Sequence, residues 1–330
     1  MRLRQTESDQ FRDKTRGCHH SRGGIRMSRV ITYDNIRRKM MTTGTQALTA
    51  EQIASYQELG YLDCLPVLSE DEVRKYRAAI DKTCDALGGH VTRLDDPHIY
   101  FRWAWELSMH PRLVSYLQQL LGPDIVLALT SVFYKHAHTG AFVDWHQDGV
   151  TEEIIDGRIP SVWLGITEAT AENGCLRVVP RSQHVGLIPH QTHPEPEQAP
   201  RPGWAQGHAL GDELSGVFTS LPPGLDPPHD VVMRAGEMSV HHPVVFHGSN
   251  PNQSDGPRIG LSSVYSATAL LKNKKQFAAP GDTQTPWGWT AVAVVCGVPP
   301  AGVELLAEPP QAPFEDEVAA YRASGYQIHY

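Results

Sequence analysis

Apolar positions recur at helical spacing early in the chain and at strand spacing after residue 122. Thr49 and Gln52 have the spacing of a capping box, and Ile53, Tyr56 and Leu59 fall on one face of the helix they open. Gly60 suits its C-terminus, and Tyr61–Leu68 is a short apolar stretch. Ser69 and Glu72 form a second box, followed by Val73, Tyr76, Ile80 and Leu87 on one face and a stop at Gly88-Gly89. A third helical stretch is predicted over 101–121. From Asp124 to Lys135 the chain is rich in Val, Ile, Leu, Thr, Phe and Tyr, which suits a buried strand. Further short strands are predicted at 141–147, 161–167, 175–180, 231–234, 237–242, 244–248 and 258–268, separated by Gly, Pro, Asn and Asp. Helices first and many short strands afterwards predict a mainly β protein, a sandwich or jelly roll with helices packed outside it. A proline-rich interruption at 189–230 has the length of a lid-like insertion or binding loop, and equally of a surface excursion without a role in chemistry.

Composition narrows the function classes. The formal net charge is -8 and the pI near 6.1, so the chain lacks the basic face that nucleic acid or an anionic membrane would need. No apolar run approaches the roughly 18–20 residues of a membrane helix. The five cysteines are an odd, widely spaced set without a C-x-x-C, which argues for a reducing compartment, and the cytoplasm is expected. Residues 1–45 carry eleven Lys/Arg against four Asp/Glu with little apolar periodicity, and are read as a basic disordered tail or an overcalled start. The expected organisation is that tail, a main domain over 46–270 and a C-terminal extension of unknown role over 271–330.

The chemistry concentrates at Trp145-His146-Gln147-Asp148-Gly149. On a strand, residues i and i+2 share a face, so His146 and Asp148 would present an imidazole and a carboxylate side by side. A third ligand is available downstream in His241-His242-Pro243-Val244-Val245-Phe246-His247, where His241 and His242 compete with His247. Two histidines and one carboxylate with open positions form the ligand set of non-haem Fe(II) oxygenases. Such a centre keeps room for a chelating 2-oxo acid and for dioxygen. Arg258, eleven residues beyond His247, follows a Gly256-Pro257 turn and could receive the distal carboxylate of 2-oxoglutarate with both arms of its guanidinium. His136 and His138 flank a loop upstream and are read as part of an exposed turn.

These motifs together resemble the phytanoyl-CoA dioxygenase family of Fe(II)/2-oxoglutarate oxygenases. The shared residues are His146 and Asp148, then Trp163, Asn173-Gly174, Val178-Val179-Pro180, His247-Gly248-Ser249 and Arg258, with Glu58-Leu59-Gly60-Tyr61 before them. The resemblance covers about residues 46–270. It implies a double-stranded β-helix, a distorted, cupin-like jelly roll with the metal at its open end. It also implies His146, Asp148 and His247 as iron ligands, Arg258 and Ser249 on the 2-oxoglutarate carboxylate, and Trp163 lining that pocket, with Ser131 on a neighbouring strand. Two departures stand out: Pro180-Arg181-Ser182-Gln183-His184 where the family more often has Pro-Gly-Ser-His, and Gly236-Glu237 where it has Gly-Asp.

The implied reaction couples oxidation of 2-oxoglutarate, to succinate and carbon dioxide, to hydroxylation of an unactivated C–H bond in a small metabolite or biosynthetic intermediate. Related halogenases carry a small residue in place of the carboxylate, so Asp148 favours hydroxylation. Desaturation, epimerisation and ring closure begin in the same way. A zinc hydrolase using the same three side chains is one alternative, and a jelly-roll binding module without catalysis is another. Neither would need Arg258 or Ser249.

Overall fold

The computed structural model describes residues 47–149, 157–188, 221–270, 292–298, 305–306, 308–326 and 328–329. The expectations for residues 1–45, and those for 189–220 within the lid-like insertion, lie outside them. Both capping boxes form. Thr49 opens helix α1 (Ala50–Leu59) and Ser69 opens α2 (Glu70–Ala86), each with the side chain of the third helical residue returned to the cap backbone. Between them strand β1 (Tyr61–Pro66) occupies the short apolar stretch. The third helical stretch is not continuous. A short strand β2 (Arg93–Asp95) and a single turn α3 (Pro97–Tyr100) precede α4 (Arg102–Ser108) and α5 (Pro111–Leu121). The break follows from Pro111, which takes the first position of α5, while the His110 ring accepts the Arg112 N–H at 3.3 Å as its cap.

The strands after Gly122 are β3 (Ile125–Lys135), β4 (Val143–His146), β5 (Ser161–Gly165), β6 (Leu176–Val178), β7 (His229–Asp230), β8 (Glu237–His241), β9 (His247–Ser249), β10 (Arg258–Ala267) and β11 (Ala293–Cys296). They form two sheets, with every neighbouring pair antiparallel. The larger runs β1-β8-β5-β10-β3-β11, with β2 also paired to β3. The smaller runs β4-β9-β6-β7. This is the double-stranded β-helix with flanking helices that the sequence led us to expect.

Two expected strands are corrected. The pairing expected at 231–234 sits at His229–Asp230, and beyond it only Met233 bridges, to Ala169. His242–Val245 is a turn, closed by the Val245 N–H on the His242 carbonyl at 3.0 Å, and the buried Gln147 amide donates to the Val244 carbonyl at 2.6 Å. Pro243 lacks the N–H that would continue the ladder past His241, so the chain leaves the larger sheet there and enters the smaller one at His247. That crossing decides which histidines meet.

The C-terminal residues are part of this architecture. Helix α6 (Phe314–Ala323) buries Tyr321 completely, and the Tyr321 hydroxyl donates to the Asp95 carbonyl at 3.0 Å while accepting the Asp95 N–H at 2.9 Å. At the departure Arg181 the backbone adopts φ 63°, the left-handed conformation that glycine takes without strain. Its guanidinium is held between Glu58 at 2.9 Å and Asp226 at 2.7 Å. Among the described residues no helix is long and apolar enough to cross a membrane.

Candidate metal centre and anion pocket

His146 closes β4 and His247 opens β9, directly opposite each other in the smaller sheet. Their rings lie 4.0 Å apart. Each ring fixes its tautomer through its own backbone: His146 Nδ1 bonds to the Asp144 carbonyl at 2.8 Å and His247 Nδ1 to the Val245 carbonyl at 3.0 Å. A ring that donates through Nδ1 presents a lone pair at Nε2. Both Nε2 atoms face Asp148 Oδ1, at 3.5 Å from His146 and 3.4 Å from His247. One ligand atom from each of the three residues lies within 4.8 Å of the other two, and among the described residues no other set of three or more such side chains converges in this way. Burial alone would raise the Asp148 pKa, but the surrounding imidazoles, His247 foremost, hold it well below the usual carboxylate range. Burial and the neighbouring His247 push His146 down, so the ring is neutral. A carboxylate and two imidazoles that turn Nε2 inward, convergent and largely buried, are donors suited to a divalent iron.

Of the competing histidines, one faces inward. His241, on β8, brings its ring 4.4 Å from that of His247 and its Nε2 3.4 Å from Asp148 Oδ2. The His242 ring instead accepts the Val244 N–H at 3.3 Å. His138 is exposed beside Asp255, as expected, whereas His136 is half-buried and bonded to the Val91 carbonyl.

Two residues along β9, on the same face as His247, Ser249 leads into a second cluster. Its hydroxyl receives a hydrogen bond from Lys135 Nζ at 2.7 Å, and Lys135 also donates to the Asn250 carbonyl at 2.5 Å. Lys135 ends β3 and stands opposite Arg258, the first residue of β10. Both are buried. The Arg258 Nε and Nη2 grip the Gly174 carbonyl at 3.1 and 2.7 Å, and its guanidinium carbon lies 5.2 Å from the Trp163 ring centre. Gly174 turns at φ 77°, and a side chain there would strike the Asn250 carbonyl. Gly260 lies flat under Trp163, where a methyl group would collide with the indole. Thus Trp163, which core packing alone could explain, also forms one wall of the guanidinium pocket. Ser131 lies further along β3 on the face of Lys135, and its hydroxyl donates to Asp95 Oδ1 at 2.8 Å.

Neither cation forms an ion pair among the described residues. Burial first, and the nearby Arg258 second, push the Lys135 amine down to about 5, and burial lowers Arg258 to about 10. Burying unpaired charge is costly, so two buried bases facing no acid favour the neutral amine unless an anion joins them. Sequence reasoning did not single out Lys135. Its signal was faint: a lone basic residue closing an apolar strand.

Comparison with known proteins places the chain. Residues 56–260 match the family model described as phytanoyl-CoA dioxygenase (PhyH). The L-proline trans-4-hydroxylase of Streptomyces griseoviridis is 27% identical over 231 residues, covering 64% of this chain and 83% of that protein. The peroxisomal phytanoyl-CoA dioxygenase of Rattus norvegicus is 24% identical over 256 residues, covering 69% of this chain and 71% of that protein. Among solved structures, a non-heme monooxygenase, ThoJ in its apo form, superimposes with a TM-score of 0.60 at 22% identity, over 83% of this chain and 94% of that one. The non-heme alpha ketoglutarate dependent carbocyclase SnoK superimposes with a TM-score of 0.51 at 22% identity, over 68% and 85%. These structural likenesses establish the fold, and the family match, over more than half of the chain, establishes descent. The chain belongs to the phytanoyl-CoA dioxygenase (PhyH) family of Fe(II)/2-oxoglutarate-dependent oxygenases.

Proposed function

We propose that the enzyme hydroxylates an unactivated C–H bond of a small metabolite or biosynthetic intermediate, with His146, Asp148 and His247 holding the iron. The observation that carries the reading is the buried Lys135–Arg258 pair, free of any acidic partner among the described residues and reached from His247 through Ser249 on the same strand. A zinc hydrolase has no use for such a pair beside its metal, and a binding module has none for the three convergent ligands. When bound, Fe(II) would let dioxygen act as the oxidant, one oxygen atom going to 2-oxoglutarate as it becomes succinate and carbon dioxide and the other to the hydroxylated substrate.

The chain's own residues do the rest. The Asp144 and Val245 carbonyls keep both imidazoles in the tautomer that offers Nε2. Arg258 and Lys135 receive the distal carboxylate of the cosubstrate, with the Ser249 hydroxyl beside them. Anchoring that end fixes where the other end lies against the three ligands. The relatives named for proline hydroxylation and phytanoyl-CoA oxidation support a small-molecule substrate. Cys64, Cys84, Cys175 and Cys296 form no disulfide among the described residues, which suits a reducing compartment such as the cytoplasm. The test is succinate release dependent on both Fe(II) and 2-oxoglutarate, stimulated by members of a metabolite library with a hydroxylated product identified by mass. Turnover with zinc alone and without 2-oxoglutarate would overturn the reading.

A further inference from the structure

Asp148 is held from two sides. Its Oδ1 faces the two imidazoles of the smaller sheet, and its Oδ2 faces the larger sheet, where the Ser161 hydroxyl donates to it and His241 Nε2 lies 3.4 Å away. Ser161 and His241 are direct cross-strand partners of β5 and β8, so the pairing register places both beside the same oxygen. His241 is buried, and neither of its ring nitrogens makes a hydrogen bond of good geometry with the described residues. A buried imidazole without a partner is costly, and the described carboxylate oxygen in ion-pair reach of His241 is Asp148 Oδ2.

We infer that Ser161 and His241 are positioning residues that together clamp Asp148 Oδ2, so that the carboxylate meets the metal through Oδ1 alone. The inference rests on the metal-centre reading above and goes beyond it. A carboxylate free to rotate can chelate through both oxygens and fill a position that cosubstrate or dioxygen needs. A carboxylate with one oxygen engaged from behind can offer only the other. The clamp also ties the two sheets together at the metal, because Ser161 and His241 belong to one sheet and His146 and His247 to the other. His242, although adjacent, does not take part: its ring is bonded to the turn.

The experiment titrates the metal-free full chain with Co(II), reading affinity and the visible ligand-field band, alongside thermal unfolding of the metal-free protein. Ser161→Ala and His241→Phe should each weaken Co(II) binding by about 10-fold or more, the range found when partners of metal ligands are removed. Both should change the band, because a freed Asp148 alters the coordination number. Ser161→Thr and His241→Gln retain a donor and should keep most of the affinity, which a merely structural role would not predict. Affinity and band unchanged in both Ser161→Ala and His241→Phe would overturn the clamp. So would complete loss of stoichiometric binding in His241→Phe and His241→Gln alike, which would make His241 a ligand. Asp148→Ala is the control for the underlying reading: Co(II) bound at wild-type affinity in that variant would remove the metal centre itself.

Discussion

Lys135 and Arg258 face each other across the β3–β10 ladder, both buried, and neither meets a carboxylate among the described residues. Two cations side by side in a protein interior are unfavourable unless an anion joins them. The folded chain handles the conflict by shifting Lys135 toward its neutral form, whose amine donates to Ser249 and Asn250. A carboxylate between the two groups would relieve that conflict, which is the part proposed above for 2-oxoglutarate.

Proton uptake follows. The Lys135 amine sits at about 5 in the folded, ligand-free chain, against about 10.4 for an unfolded lysine. Between those values the unfolded chain holds a proton that the folded chain lacks, so stability rises with pH across this window and is lowest at its acid end. A carboxylate bound beside Lys135 would favour its protonated form. Binding of 2-oxoglutarate near neutral pH should therefore take up a proton, and affinity should fall as pH rises above neutral. Calorimetry in two buffers of different ionisation enthalpy measures the uptake, and Lys135→Met should abolish it, weaken 2-oxoglutarate and raise the melting temperature of the ligand-free protein. Identical heats in both buffers would refute the coupling.

Arg258→Ala should weaken 2-oxoglutarate by roughly 100-fold or more, because breaking one partner of a buried charge pair typically costs about 3–5 kcal/mol. Arg258→Lys should recover only part, lacking the planar fork that now grips the Gly174 carbonyl. Fe(II) binding should survive in both. The assay is anaerobic titration followed by the charge-transfer band of the Fe(II)–2-oxoglutarate complex, and unchanged affinity in Arg258→Ala would remove Arg258 from the pocket.

Alanine at His146, Asp148 or His247 should each abolish stoichiometric Fe(II) retention and succinate release. His242→Ala should retain iron, since its ring serves the turn after β8. A His247→Ala protein that keeps its iron while His242→Ala loses it would reverse the assignment.

Tyr321→Phe should lower stability by about 1–3 kcal/mol, the cost of leaving buried hydrogen-bonding groups without partners. The hydroxyl satisfies both the N–H and the carbonyl of Asp95, and with it α6 is pinned to β2. Chemical denaturation reads the change, and an unaltered midpoint would show that water replaces the hydroxyl.

Local signals settled a good deal from the sequence. Thr49 with Gln52 and Ser69 with Glu72 opened their helices because a capping box is closed within four residues. The two-residue spacing of His146 and Asp148 left them close enough to share an ion, although β4 ends at His146 and Asp148 lies in the bend beyond it rather than on the strand. The eleven-residue step from His247 singled out Arg258 through the family pattern, and the fold buries that residue opposite Lys135. Other features depended on partners distant in the chain. Strand periodicity tells which residues share a face, but not which strand lies beside it or in what register. Lys135 gained its meaning only when β3 paired with β10, and Ser161 and His241 only when β5 paired with β8. Pro243 marked a possible break, but the crossing between sheets that sets His241 against Asp148 is a long-range arrangement. The sequence therefore determined the ligand types and their local spacing, and the pairing of distant strands decided which side chains stand behind them.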